Sequence, residues 1–578
     1  MATLLRLIDQ HADGDAAHLA CVVGEERRTY GELADQVHRF ACGLVALGLQ
    51  RGDRVSLYLP NSVDYVVAFY GTMRAGMVAN PINSVFTPSE VSYFITDCAA
   101  AALVTTPELL SRLAAALGDL PVKVIITAGA ERPGSAPPAD QPGPERPGGT
   151  WPAGHVPLSD LLASPPGALP DPDENTPACL PYSSGTTGRS KGIIHTHDSL
   201  AMQAILSANH LQMRRDDVLL QSLPLVHLYP GNIIMGGLFT AGATMVVQPV
   251  FDPPCFAALL ADVHATACAG VPTTYAMLCQ VPEDKAVGID TSALEVAFSA
   301  GAPLASRIRS EFRRLFGARV LDCYGITEAA GNLTATLRYG DTPELSCGVP
   351  YPFTEVRIVG ENDQDVAVGE VGELIARGPQ IMAGYWGRPE DTKITLRGGW
   401  LHTGDLARCD ERGFFYIVDR LKDLIISAGY NVYPAEVEEV VQSHPDVAMC
   451  AVFGAPDEVK GEKPWAAVVP RAGIALDPAS VEAHCRERLA AYKVPRNFLV
   501  LDDLPRSSVG KILRRELRRT YAPDAAAAAA AATGGTGAVA PAGGHAGGTE
   551  VSQRKGSGSQ VPPQRPAIPP SSSLAREP

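Results

Sequence analysis

The sequence predicts an α/β protein with a second, smaller α+β domain. Three observations carry that expectation. Apolar residues alternate between helical spacing and short buried runs over 28–128, and again from 178 to about 350. The text turns strand-rich from 354 (EVRIV, ELIAR, FFYIV), then begins a new helix and strand series near 423. The chain has 578 residues, well above the roughly 250–300 that a single core serves.

The elements follow in order. RTYGELADQVHRFACGLVALGL spaces Leu33, Val37, Phe40, Leu44 and Leu47 as one face of a helix. RVSLYLP (54–60) reads as a buried strand, VDYVVAFYGTMRAG as a helix and VKVIITAG (122–129) as a strand. This βα alternation implies largely parallel sheets. Residues 129–172, with GSAPPADQPGPERPGG, read as a Pro/Gly-rich surface excursion. The strand-rich segment from 354 reads as a small β-subdomain. PAEVEEVVQSH starts a helix at Pro434 with Val437, Val440 and Val441 on one face. VAMCAVFG and WAAVVP read as strands, and residues 480–491 as an amphipathic helix. Beyond Tyr521 the chain passes into polyalanine, then Gly, Pro and Ser, and 522–578 reads as a disordered tail.

Composition narrows the function. The net charge of −15, without a long basic run, disfavours nucleic acid as partner. The twelve cysteines form no C-x-x-C pair, which suits free thiols in a reducing, cytoplasmic setting. MATLLRLIDQHADGD reads neither as a signal peptide nor as a membrane span. The histidines of HTH (195–197) have no third ligand nearby, so a metal site there is disfavoured.

YSSGTTGRSKG (182–192) is the segment richest in chemistry. Small and hydroxylated residues offer backbone N–H groups and hydroxyls to an anion, and Lys191 adds a cation. The spacing fits neither G-x-x-x-x-G-K-[ST] nor G-x-G-x-x-G. By itself this stretch could equally be an ordinary turn.

Together with SAGAPL at 299, YGITE at 324, GWLHTGD at 399, DRLKDLIISAGYNVYPAEVE at 419 and PRSSVGKILRREL at 505, it resembles the adenylate-forming superfamily, in its acyl-CoA synthetase branch. The motifs keep the family's order over about residues 25 to 518. Ser190 stands where the family often has proline, which removes a fixed φ but no ligand. The resemblance implies a large N-terminal domain (1–418) of parallel-sheet α/β subdomains plus a small β-subdomain. A hinge at 419–422, centred on Lys422, would join it to a mobile C-terminal domain (423–521).

It also implies ATP-dependent activation of a carboxylic acid through acyl-AMP to a CoA thioester, with ATP, Mg²⁺ and coenzyme A. Ser183, Ser184, Gly185, Thr186, Thr187, Gly188 and Lys191 would hold phosphate, with Thr187 catalytic. Glu328 would hold Mg²⁺ and Thr327 would contact phosphate. Tyr324 would stack on adenine, within a wall formed by Gly301, Ala302, Asp322, Cys323 and Gly325. Asp405 and Arg420 would take the ribose. Lys511 would bridge the attacking carboxylate and the α-phosphate. His227, Tyr229, Gly231, Val271, Gly301, Cys323 and Ile326 would border the acyl group. Ala428, Gly429 and Tyr430 would line the CoA channel after a domain rotation.

The segment PLVHLYPGN carries no acid to pair with an α-ammonium, which disfavours an amino-acid substrate. Leu228 replaces the asparagine of dihydroxybenzoate-activating relatives, and Cys323 stands where many relatives have glycine. A fatty or other apolar monocarboxylate is the expectation. The alternatives are an aryl or phenylpropanoid acid, a separate acyl carrier protein as acceptor, and a catalytically inactive nucleotide-binding protein.

Overall fold

The computed structural model describes residues 5–129, 155–183, 190–281, 289–457, 460–506 and 512–522. These belong to one compact unit that ends at Ala525. Of the expected tail 522–578 only Ala522 is described; it is buried and its N–H donates to the Arg518 carbonyl, so the folded part reaches it, and 523–578 lie outside the described residues.

The helix Tyr30–Ala46 shows why the early elements form. Thr29 accepts from the Glu32 backbone N–H while Glu32 reaches back to the Thr29 N–H, a reciprocal cap. Leu33, Val37, Phe40 and Leu44 are fully buried. The next helix, Val63–Arg74, packs so closely that a Cβ on Gly71 would stand 2.6 Å from the Phe40 ring. Apolar spacing therefore gave the right helix face, and a glycine admits its neighbour.

Two large sheets follow, each with nine described strands. One runs Gly384–Tyr385, Lys191–Thr196, Pro177–Cys179, Val78–Asn83, Arg54–Leu59, Ala102–Thr105, Val124–Thr127, His155–Pro157, with Tyr182–Ser183 added beside Lys191–Thr196. The other has a parallel centre of Arg319–Ile326, Val296–Ser299, Ala267–Gly270, Val218–Gln221, Thr244–Val247 and Leu19–Val23. The strand Leu19–Val23 thus lies between its hairpin partner Glu26–Thr29 and residues more than two hundred positions away. An antiparallel sheet of Glu355–Val359, Gly372–Arg377, Leu401–Cys409 and Phe415–Arg420 forms the β-subdomain.

The C-terminal region builds its own sheet from Ile425–Ser427, Tyr430–Val432, Val447–Asp457, Gly461–Pro470 and Phe498–Val500. Its core includes Val432, Val437, Val441, Val452, Val468 and Val481. It touches the larger part where Glu439 accepts from the Ser306 N–H at 3.3 Å and Arg307 donates to the Gln442 carbonyl at 3.1 Å.

Three expectations change. The excursion is narrower than 129–172: His155–Pro157 extends a sheet, and Leu158–Leu162 is a helix that buries Leu158 and Leu161 against Gly43. The helix expected at 480–491 spans Pro478–Arg488, started by Asp477, whose carboxylate accepts from the Ala479 N–H. The sequence places a helix start at Lys511 with Ile512, Leu513 and Leu517 on its apolar face, but the final helix is Arg514–Tyr521, so Ile512 and Leu513 precede it. Ile512 instead bridges to Arg506, and Leu517 alone of the three apolar residues is buried. Among the described residues no helix is long and apolar enough to cross a membrane.

Candidate active site

Lys191 opens the strand Lys191–Thr196 and pairs with Ser183 across an antiparallel hairpin. The hairpin's connection holds Ser184, Gly185, Thr186, Thr187 and Gly188, which lie outside the described residues, as does Lys511. Lys191 Nζ lies 3.0 Å from Asp391 Oδ2 and 5.0 Å from the centre of the Tyr385 ring. Tyr385 reaches it because Ile193 and Tyr385 are cross-strand partners.

YGITE ends the strand Arg319–Ile326 and enters the short 3-10 turn Thr327–Ala329. Gly325 must be glycine: a Cβ there would stand 1.8 Å from the Gly331 carbonyl of the returning strand. His195 fixes the next turn, its Nε2 donating to the Thr327 carbonyl at 2.8 Å. The carbonyl can only accept, so that nitrogen carries the proton. Glu328 Oε1 accepts from the Tyr385 hydroxyl at 2.9 Å. Burial raises the Glu328 pKa, opposed by its own backbone N–H and by that hydroxyl.

The ribose candidates meet through sheet register. Asp405 and Arg420 are direct cross-strand partners in neighbouring antiparallel strands, with Arg420 Nε 3.6 Å from Asp405 Oδ1. The Tyr324 hydroxyl donates to Asp405 Oδ2 at 2.8 Å. Thr403 Oγ1 accepts from the Asp405 N–H and donates to the Leu374 carbonyl, which sets the turn. Lys422 follows closely; burial and the neighbouring Arg420 lower its pKa.

Around the other end, His227 is held at about 4 by burial and is neutral at pH 7. The Asn83 amide nitrogen lies 3.2 Å from His227 Nε2. Tyr229 and Tyr275 both donate to the Phe298 carbonyl, at 2.9 and 2.5 Å. Cys323 is buried in the core against which Tyr229 packs, and burial pushes its thiol up. Gly301 has φ +86, and a Cβ there would stand 3.7 Å from Val271 Cγ1, so those two are neighbours. Ile326 packs with Tyr324 and Ala329. Ala302 is exposed beside Gly301.

Several assignments from sequence meet a different environment. The missing side chain of Gly231 is explained by packing rather than by room for a ligand: a Cβ would stand 2.2 Å from the Leu225 carbonyl oxygen. Asp322 spends its carboxylate on Arg309 and its carbonyl on the Thr336 N–H. Burial, opposed by Arg309, raises the Asp322 pKa to about 6. Ala428 and Gly429 have φ +51 and +83 and form the two-residue turn between Ser427 and Tyr430. That turn, rather than approach to a ligand, accounts for the glycine. Tyr430 is exposed and its ring stacks on Tyr492 at 4.8 Å, so these three residues do not join the Asp405–Tyr324 cluster here.

Sequence reasoning passed over Tyr385, Asp391, Asn83 and Arg309, and weighed His195 only as a metal ligand. None sits at a diagnostic spacing; strand pairing brings in Tyr385, helix packing brings in Asp391 and Arg309, and Asn83 meets His227 from the end of its strand. Among the described residues no three His, Cys, Asp or Glu side chains stand together as a metal cluster.

The Asp–Arg–Tyr constellation thus spans two parts of the fold, with Asp405 and Arg420 from the β-subdomain and Tyr324 from the second large sheet, and solved adenylating enzymes share this architecture. The chain belongs to the AMP-binding enzyme family, whose model matches residues 8–386, with the AMP-binding enzyme C-terminal domain at 436–511. Within the adenylate-forming superfamily it falls in the acyl-CoA synthetase branch and is an acid–thiol ligase. It is 35% identical over 503 residues to a feruloyl-CoA synthase of Amycolatopsis, covering 85% of this chain and 94% of the relative. It is 34% identical over 538 residues to a long-chain-fatty-acid–CoA ligase of Yersinia pestis, covering 89% and 94%. Among solved structures, the anthranilate CoA ligase AuaEII with anthranoyl-AMP superposes with a TM-score of 0.81 at 26% identity, covering 92% of this chain and 98% of that one. ATP-bound MatB from Rhodopseudomonas palustris gives 0.79 at 32% identity, covering 90% and 99%.

Proposed function

We propose that this enzyme activates an apolar monocarboxylate, of the fatty acid class, and transfers the acyl group to coenzyme A. The acid's oxygen attacks the α-phosphorus of ATP, and the bond to pyrophosphate breaks. The thiol sulfur then attacks the acyl carbon of the mixed anhydride, and AMP leaves with the bonding electrons. The observation that carries the choice of acid is the set of satisfied polar groups near Cys323. Both tyrosine hydroxyls are spent on the Phe298 carbonyl, and His227 is neutral. A second carboxylate or an ammonium on the acid would lose its hydration with no charge to meet it. The feruloyl-CoA synthase at 35% identity favours an aryl acid as the second reading.

In this reading Thr186, Thr187 and Lys191 hold the β- and γ-phosphates and Thr327 supports them. Asp405 and Arg420 hold the ribose, and Tyr324 packs on the adenine. Glu328 suits Mg²⁺: it is a buried hard oxygen donor whose burial favours a cation beside it. Phosphate oxygens and water would complete its shell, and bound Mg²⁺ neutralises charge as the two anions meet. Lys511 acts in the first step only, and rotation about Lys422 brings Ala428, Gly429 and Tyr430 to the thiol path in the second. Residues 1–418 and 423–521 are the two bodies that rotate.

A pyrophosphate-release screen over straight-chain and aryl acids, with and without CoA, tests the substrate class. Release with aryl but not fatty acids overturns the first choice, and release without thioester in the presence of CoA points to a carrier-protein acceptor. Lys511→Ala should abolish adenylation but spare thioester formation from supplied acyl-AMP. Equal loss in both steps would remove the two-conformation account.

A further inference from the structure

One side chain touches both groups assigned to the triphosphate and its metal, and no motif singles it out. Tyr385 lies in MAGYWGRPE, on the short edge strand Gly384–Tyr385. Pairing of Ile193 with Tyr385 and Ile194 with Gly384 fixes its backbone to the Lys191 strand. Its hydroxyl donates to Glu328 Oε1 at 2.9 Å. Its ring stands 5.0 Å from Lys191 Nζ. The Tyr385 N–H donates to Thr392 Oγ1 at 2.9 Å, and Thr392 leaves no space at Gly384, where a Cβ would approach within 2.7 Å. The backbone that carries the ring is therefore held on one side by the Lys191 strand and on the other by Thr392.

We propose that Tyr385 is a positioning residue that sets Lys191 and Glu328 in one fixed relation. The hydroxyl holds one carboxylate oxygen of Glu328 and directs the carboxylate toward the metal. The negative face of the ring holds the ammonium in place without itself neutralising it, so Lys191 can exchange its Asp391 partner for phosphate. Rigid outer partners of this kind govern how well a carboxylate binds a metal ion. The inference rests on Lys191 and Glu328 having the roles given above.

Two variants separate the parts. Tyr385→Phe keeps the ring and removes the hydroxyl; Tyr385→Leu removes both. Mn²⁺ binding in the presence of ATP, followed by electron paramagnetic resonance, reads the metal directly. The Phe variant should weaken Mn²⁺ binding roughly tenfold, as loss of an outer-shell partner does. Its KM for ATP at saturating metal should stay within about twofold. The Leu variant should in addition raise that KM about threefold or more, for loss of the cation–ring contact. Lys191→Ala and Glu328→Gln serve as references. If they impair ATP binding and Mn²⁺ binding respectively while Tyr385→Phe binds Mn²⁺ normally, the positioning role is overturned and the site assignment stands. If neither reference variant has an effect, the assignment itself fails and the proposal with it. A Phe variant that loses ATP and Mn²⁺ equally, with a lowered melting temperature, would mark Tyr385 as structural only and also overturn it.

Discussion

Lys191 Nζ lies 3.0 Å from Asp391 Oδ2, so the lysine assigned to the triphosphate already has an anionic partner on the helix Pro389–Thr395. With Lys191 in that proposed role, ATP would exchange this partner for phosphate. A partly exposed ion pair holds about 1 kcal/mol or less. Asp391→Asn should therefore lower the KM for ATP by about two- to fivefold in pyrophosphate exchange. A raised KM would show that Asp391 aids binding instead of competing with it.

Tyr324 and Asp405 make a second test. Tyr324→Phe keeps the ring and deletes the bond to Asp405 Oδ2. A net hydrogen bond contributes about 1 kcal/mol, so the KM for ATP should rise roughly fivefold with kcat little changed. Should kcat fall while KM holds, the hydroxyl acts on the reacting groups rather than through Asp405.

Cys323 addresses chain length. A thiol in place of a glycine takes room of about one or two methylene groups, and pockets discriminate by about 1–3 kcal/mol per methylene. Cys323→Gly should shift relative kcat/KM toward longer or bulkier acids by roughly tenfold and leave the KM for ATP unchanged. Steady-state kinetics over a graded acid series decides it, and an unchanged ranking removes Cys323 from the pocket.

His197 predicts a pH dependence of stability. It is buried, both ring nitrogens lack hydrogen-bond partners among the described residues, and its pKa falls to about 4 from 6.5. Burial is the main cause; Arg51 lowers it further and Asp173 opposes. Between those values the unfolded chain binds a proton that the folded chain refuses. Stability is therefore full above about pH 6.5 and declines as pH falls toward 4, by up to roughly 3 kcal/mol. His197→Leu should flatten the fall in melting temperature between pH 6.5 and 4.5 without breaking a hydrogen bond. Parallel curves for the two proteins would place the acid sensitivity elsewhere.

Gly231→Ala tests packing. The added methyl would stand 2.2 Å from the Leu225 carbonyl, and overpacking of this kind costs about 1–3 kcal/mol. Thermal unfolding should show a clear drop in melting temperature, and a neutral result would mean that the π-helical turn Tyr229–Ile234 yields easily.

The sequence by itself determined what is local. Apolar spacing in 30–46 fixed one helix face, because burial follows the 3.6-residue period, and the apolar run at 63–74 marked a helix that is buried on nearly every side. The ordered motifs named the nucleotide chemistry, because each packs its ligands into a few adjacent residues. Tertiary structure decided whatever depends on which strands pair. Leu19–Val23 lies beside Thr244–Val247, a choice that no local period encodes. Asp405 meets Arg420, and Lys191 meets Tyr385, only through sheet register. The same holds for the glycines. Gly231 and Gly429 look alike in sequence, yet one is small because a carbonyl crowds it and the other because its turn needs a positive φ. Those reasons reside in neighbours distant along the chain or in backbone dihedrals, and a residue's name reports neither.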